Sequence, residues 1–283
     1  MPNNKLSGKI TKSFSQILGY CFIIIVICMS LYPLIWVLMS SFKTTYQIID
    51  APLSLPKSIS LYGYKLAFEI SPFLLFYRNS ILVTLFGVLG NIIILALSAY
   101  VLARFKFRGR NVIILILSVS LILPATALIQ PIYMLVIKTG LYDTKTALCL
   151  VYIALGLPIT LYILLGYYKT IPKAIEESAM LEGASFPQIF FKIIVPISSP
   201  GYATAAVLQF ILCWQEFLFA FILTTGNRSR TLPIALQYFL SQFNTNYTAL
   251  FAAIIMFVIP IIVFFIIFQK QIISGLTDGS VKE

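Results

Sequence analysis

Six apolar runs, each longer than twenty residues, divide this chain and set the conditions under which it can fold. They cover about residues 16–42, 72–105, 111–137, 146–168, 202–225 and 248–268. One apolar helix of about 20 residues crosses the hydrocarbon core of a bilayer. The pattern therefore predicts an all-α integral membrane protein with six transmembrane helices. The runs do not alternate as the strands of an outer-membrane barrel do. Only 10% of the residues are charged, against about 25% in a soluble domain, so a soluble fold is excluded. Between the first two runs, residues 43–71 read as a loop with room for one short interfacial helix. Pro124 and Pro131 interrupt the third run, Pro158 lies in the fourth and Pro260 in the sixth.

The net charge of +11 reads as topology, because Lys and Arg beside membrane spans mark the side that stays inside. No nucleic-acid-binding motif accompanies it; lipid is the surface expected around the runs. Six spans put both termini on one side, which carries twelve of the 20 bases. The acid-free Lys5, Lys9 and Lys12 and the cluster Arg104, Lys106, Arg108 and Arg110 decide the orientation, since short segments next to spans weigh most. Both termini are expected in the cytoplasm. The first run is too long for a cleavable signal and has no small-residue cleavage site.

Histidine is absent, and Cys21, Cys28, Cys149 and Cys213 all lie inside apolar runs, where they read as small hydrophobes. No disulfide framework, metal site or cofactor is expected. No nucleophile–base set or carboxylate pair points to an enzyme, and no G-x-x-x-x-G-K-[ST] loop is present to hold phosphates.

One stretch breaks the apolar pattern: residues 169–201, KTIPKAIEESAMLEGASFPQIFFKIIVPISSPG. Pro172 suits a first helical turn, where its missing N–H would be unpaired anyway. At helical spacing Ile171, Ala174, Ile175, Ala179 and Leu181 group on one face, with Lys173, Glu176, Glu177 and Met180 on the other. Gly183 stops this helix. Ser185 caps a second, from about Phe186 to Val195, which Pro196 and Pro200 end. A helix lying on lipid would carry bases on its polar face. Glu176 and Glu177 favour a protein partner in water.

The order Glu177-Ser178-Ala179, three residues, Gly183, nine residues, Ile193, one residue, Val195-Pro196 resembles the EAA signature of ABC-importer permeases, E-A-A-x3-G-x9-I-x-L-P. Ser178 stands for Ala and Val195 for Leu. Arg78-Asn79-Ser80, the run Ala99-Tyr100 to Arg110, Trp214-Gln215-Glu216-Phe217-Leu218, Thr231-Leu232-Pro233 and the tail from Gly275 to Lys282 extend the resemblance. They are similar to carbohydrate-uptake permeases of the maltose-transporter type, the tail to the MalG-type subunit. The resemblance implies one permease domain, residues 1–283, in a bacterial cell membrane. It also implies a MalF-like second permease subunit, two cytoplasmic ATP-binding subunits that hydrolyse the ATP, and an external solute-binding protein. The segment 169–201 would be the cytoplasmic coupling insert between spans 4 and 5. Glu176, Glu177, Ser178, Ala179, Gly183 and Pro196 would be its ATPase-coupling residues, with Glu177 paired to a base in an ATPase cleft and Gly183 making the turn.

An ionisable residue inside an apolar span is a functional candidate by default, and Glu216 is one. On a helix Ala205, Gln209, Cys213, Glu216 and Ala220 form a polar or small stripe, and Ser80, Thr84, Gly87, Asn91 and Ser98 form another in the second span. Asn91, Gln209, Trp214, Gln215 and Glu216 are therefore candidates for a substrate path. The same residue types also glue helices together. A stand-alone secondary transporter or channel, with Glu216 as its ion or proton site, is the alternative function, although the chain carries no convincing internal repeat of the kind such transporters show.

Overall fold

The computed structural model describes residues 4–240 and 245–278; residues 279–282 of the tail motif lie outside the described residues. Among the described residues every regular element is helical. The helices are α1 (Asn4–Ser40), α2 (Thr45–Asp50), α3 (Tyr62–Ile70), α4 (Phe73–Arg104), α5 (Arg110–Ser120), α6 (Ile129–Lys138), α7 (Lys145–Thr170), α8 (Lys173–Leu181), α9 (Phe186–Gln188), α10 (Val195–Ile197), α11 (Ser199–Gln215), α12 (Leu218–Leu223), α13 (Leu232–Ala235) and α14 (Tyr247–Asp278). Four of the described helices, α1, α4, α7 and α14, are long and apolar enough to cross a membrane. The number rises to six if each of two bent pairs counts as one span: α5 with Ala125–Lys138, bent by 103°, and Phe186–Ile197 with α11, bent by 71°. The first bend sits where Pro124 precedes a 3-10 turn, Ala125–Leu128. Pro131 falls in the first turn of α6, where a missing N–H costs no hydrogen bond.

The chain divides into two compact units. The first holds α1 to α3 and the start of α14, to Met256. Here the expected loop contains two helices, not one. A capping box opens α2: Thr44 Oγ1 accepts from the Gln47 N–H at 3.3 Å, and Gln47 Oε1 accepts from the Thr44 N–H at 3.2 Å. The T-x-x-Q spacing that permits it is present in the sequence. Lys43 is buried, and its ammonium donates to the carbonyls of Pro52 and Ala51 at 3.1 and 3.4 Å. Trp36 packs edge-on to Phe251 and donates its indole N–H to Pro52 O at 2.8 Å.

The second unit is built on α4, α7 and α11. The buried positions of α4 recur at helical spacing: Phe73, Phe76, Ser80, Val83, Gly87, Asn91, Leu95 and Ala99. Along this stripe the helices approach closely because small residues leave room, as at Gly87, where a Cβ would stand 2.9 Å from Cys213 Sγ. Ser98, expected on the same stripe, is exposed; Leu95 and Ala99 continue it instead. At one end of the unit the loop after α6 is locked to the loop after α12. Asp143, with φ of 58°, accepts from the N–H groups of Thr225 and Gly226 at 2.9 and 3.0 Å and from the Ser229 hydroxyl. Its own N–H donates to Leu223 O at 3.0 Å.

Burial pushes the Asp143 carboxyl up, but donation from Ser229, Gly226 and Thr225 outweighs it and holds the group below its ordinary value. A depressed native value stabilises the fold above the unfolded value of about 3.9 and is lost as pH falls through the native one. The lock should therefore stay closed at neutral and mildly acid pH and open only below about pH 4. Hydrogen-exchange protection factors for the Thr225 and Gly226 amides would check this, and loss of protection already at pH 6 would contradict it.

Candidate functional site

The polar insert begins where α7 ends. Ile171 is extended, Pro172 precedes α8, and α8 runs nine residues. It stops in a Schellman turn: Gly183, at φ +85°, donates to Met180 O and the Ala184 N–H donates to Ala179 O, both at 3.0 Å. The positive φ is what requires glycine there. The next helix opens with Ser185, whose N–H donates to Gln188 Oε1 at 2.7 Å. Pro196 does not end it. The helix passes through a π-turn, Ile189–Ile194, in which the Val195 N–H reaches back to Phe190 O, and continues to Ile197. Proline at position 196 offers no N–H and crowds the preceding turn, and a widened turn is one way a helix absorbs that.

The faces of α8 differ from the periodic expectation. Ile171 and Ala179 are buried, but so is Glu176, at 6% exposure. Ala174 and Ile175 are exposed, and Leu181 is 90% exposed. The reason is electrostatic. Arg104 ends α4 with its side chain out of water, and Glu176 supplies the opposite charge, Arg104 Nε to Glu176 Oε1 at 2.5 Å. The Tyr100 hydroxyl donates to the other oxygen at 2.7 Å, and Arg104 Nη2 donates to Ile171 O at 2.8 Å. A buried charge without a partner costs more than burying a Leu or Ile gains, so the carboxylate takes the inner face. Around it Tyr100 contacts the rings of Phe105, Tyr168, Phe186 and Phe190. Glu177 and Ser178 are exposed, together with Met180 and Leu181. Pro196 is exposed as well.

The candidates in the apolar spans separate into two groups. Asn91 and Gln209 are fully buried between helices: Asn91 donates to Ile153 O and Gln209 to Tyr152 O, each at 2.9 Å. Both therefore tie neighbouring helices to successive carbonyls of α7. Trp214 is 2% exposed, stacks near Phe210 and donates to Phe257 O at 3.0 Å. Gln215 is exposed and Glu216 half-buried. These two border an open cavity of about 700 Å³, together with Ser120, Ala154, Pro158 and a largely apolar wall.

Glu216 also breaks the expected fifth span. α11 ends at Gln215, and Glu216 is extended, at φ −65° and ψ 122°. Its carboxylate accepts from the N–H groups of Phe219 and Ala220 at 2.7 and 3.0 Å and from the Tyr152 hydroxyl at 2.7 Å. It caps α12, and negative charge at a helix N-terminus is favoured by the macrodipole. No Gly or Pro marks this break, so only the W-Q-E-F-L stretch itself carried a signal.

Residues 92–277 match the family described as binding-protein-dependent transport system inner membrane component. The sulfoquinovosyl glycerol transport system permease protein SmoH of Agrobacterium fabrum is 34% identical over 254 residues, 89% of each chain. The trehalose transport system permease protein SugB of Mycobacterium tuberculosis is 35% identical over 260 residues, 91% of this chain and 94% of that protein. Among solved structures, a bacterial ABC transporter involved in the import of the acidic polysaccharide alginate shares the fold, with a TM-score of 0.81 at 23% identity, covering 92% of this chain and 97% of that one.

Proposed function

Because this chain belongs to the binding-protein-dependent transport system inner membrane component family, we propose that it is a permease subunit of an ATP-binding-cassette importer. It forms half of the membrane path for a sugar or oligosaccharide delivered by an external binding protein. The observation that carries this reading is the likeness to SmoH and SugB at 34 and 35% identity across 89 and 91% of this chain. In this reading α5 and Ala125–Lys138 make one span. α11 and the residues to Thr225 make the fifth, while Phe186–Ile197 stays in the insert. The six spans and the insert make one permease domain, and both termini lie in the cytoplasm of the cell membrane. A second permease completes the path, and two ATP-binding subunits supply the energy.

The insert of residues 169–201 is the surface on which an ATP-binding subunit docks. Exposed Glu177 supports this, since it stands beside exposed Met180 and Leu181 on a segment tied firmly to the rest of its unit. Gln215 and Glu216 border the path. Glu216 holds three donors on its carboxylate, which disfavours its use as a freely exchanging ion or proton site and so disfavours the stand-alone transporter.

Two measurements test the proposal. The tagged chain, expressed with its neighbouring genes, should co-purify with a nucleotide-binding subunit and a second permease. Reconstituted with an external binding protein, the complex should import sugar only with ATP inside the vesicle, and Glu216→Gln should change its rate or selectivity. Uptake by the purified chain alone, driven by an ion gradient, would overturn the reading. Unchanged rate and selectivity in the variant would remove Glu216 from the path.

A further inference from the structure

The two adjacent carboxylates of α8 are placed to do different things. Glu177 is exposed and its side chain makes no bond among the described residues, while Glu176 is held inside its unit. We propose that Glu176, gripped by Tyr100 and Arg104, is the linkage that carries displacement of the insert to α4, and is a positioning residue in place of a docking contact. The proposal rests on the reading of the insert as an ATPase-docking surface.

The geometry of the grip carries it. Tyr100 and Arg104 stand one helical turn apart on α4, and each takes a different oxygen of the same carboxylate, at 2.7 and 2.5 Å. A single bond would let α8 pivot about it; two bonds from one helix to the two ends of a planar carboxylate fix its orientation as well as its distance. A third bond, Arg104 Nη2 to Ile171 O at 2.8 Å, fastens the backbone just before α8 to the same guanidinium. The side chains of the ion pair are only 7 and 8% exposed, so salt screens it weakly.

α4 continues as an unbroken helix from Arg104 back to Phe73. Asn91 holds it to α7, and near its far end the Asn79 amide donates to Arg230 O at 2.8 Å. A force on α8 is thus delivered to one rigid rod that crosses the unit. Beyond this grip α8 offers few buried contacts, Ala179 being its buried apolar residue and Ile171 lying just before it. Without the carboxylate α8 could move while α4 stays behind.

The test is uptake per ATP hydrolysed in the assembled, reconstituted importer, because a residue that merely supports folding would lower both quantities together. Glu176→Gln removes the charge at constant volume, and Tyr100→Phe removes one grip without leaving a charge unpaired. A loss of about tenfold or more in sugar imported per ATP is expected for Glu176→Gln, because both charge-assisted hydrogen bonds to the carboxylate are weakened. A smaller loss in the same ratio is expected for Tyr100→Phe, with ATP hydrolysis and subunit capture kept in both. An unchanged ratio in an assembled Glu176→Gln importer would overturn the linkage and leave the proposed function standing. Should Glu176→Gln fail to fold, an unchanged ratio in Tyr100→Phe would do the same. Loss of ATPase capture by folded Glu176→Gln would also overturn it, by making Glu176 a docking contact. Failure of the wild-type chain to capture an ATPase would overturn the parent reading and the linkage with it.

Discussion

Glu177→Lys should abolish ATP-driven sugar uptake while leaving the fold intact. The side chain is exposed and has no hydrogen bond or ion pair among the described residues, so reversing its charge disturbs nothing within its own unit. If the insert docks an ATP-binding subunit as proposed, its effect falls on that partner. Breaking one member of a desolvated charge pair at an interface costs about 2–5 kcal/mol, which is about 30- to several-thousand-fold in affinity. Placing a second base against the expected one adds repulsion. ATPase capture by the detergent-solubilised complex should fall by at least that lower bound, with an unchanged melting temperature for the isolated chain. Capture and uptake at wild-type levels would show that docking does not use this residue. Glu176→Gln is the informative neighbour. One residue away, it is expected to spare capture and lower only the sugar moved per ATP.

The second large effect is structural and lies inside the packed helices. Gly156 of α7 faces Gln209 of α11 so closely that a Cβ at 156 would stand 1.8 Å from Oε1 and 2.5 Å from Cδ. The amide is the end of a flexible side chain, but it has nowhere to go: Gln209 is 0% exposed, and its Nε2 is bonded to Tyr152 O at 2.9 Å. Gly156→Ala must therefore push the amide off that carbonyl or force the helices apart. Overpacking of this kind costs about 1–3 kcal/mol, and a stranded buried polar group about as much again. A drop of several degrees in melting temperature and weak membrane expression are expected. The double variant Gly156→Ala, Gln209→Ala removes the collision and should recover part of the loss. An unchanged melting temperature in the single variant would mean that α7 and α11 are not held at this distance.

Much of the insert could be read directly from the chain, because its signals are local. Pro172, Gly183 and Ser185 act on backbone groups within a few residues, so their spacing alone places two helices around a turn. The capping box at Thr44 is equally local, and its spacing was available although it did not enter the expected loop. Periodicity failed where a distant charge intervened. Nothing within residues 169–201 says that Arg104, some seventy positions earlier, needs a carboxylate, and that need turns Glu176 inward and leaves Leu181 outside. The path candidates show the same division. Their polar or small character was visible, but whether an amide faces a lumen or a neighbouring carbonyl depends on which helix stands beside it. Asn91 and Gln209 turn to α7, whereas Gln215 and Glu216 border the open cavity.

By itself, then, the sequence determined the helical class, the long apolar runs and the Gly183 turn. Bilayer thickness and backbone hydrogen bonding impose the first two on any chain this apolar, and a positive φ imposes the third. Only the tertiary structure decided that α11 stops at Glu216, that the helix around Pro196 continues through a π-turn, and that of two adjacent glutamates one faces inward and the other faces water. Each of these depends on the cost of leaving a buried charge or backbone group without a partner. Such a partner is fixed by the packing of elements far apart in the chain.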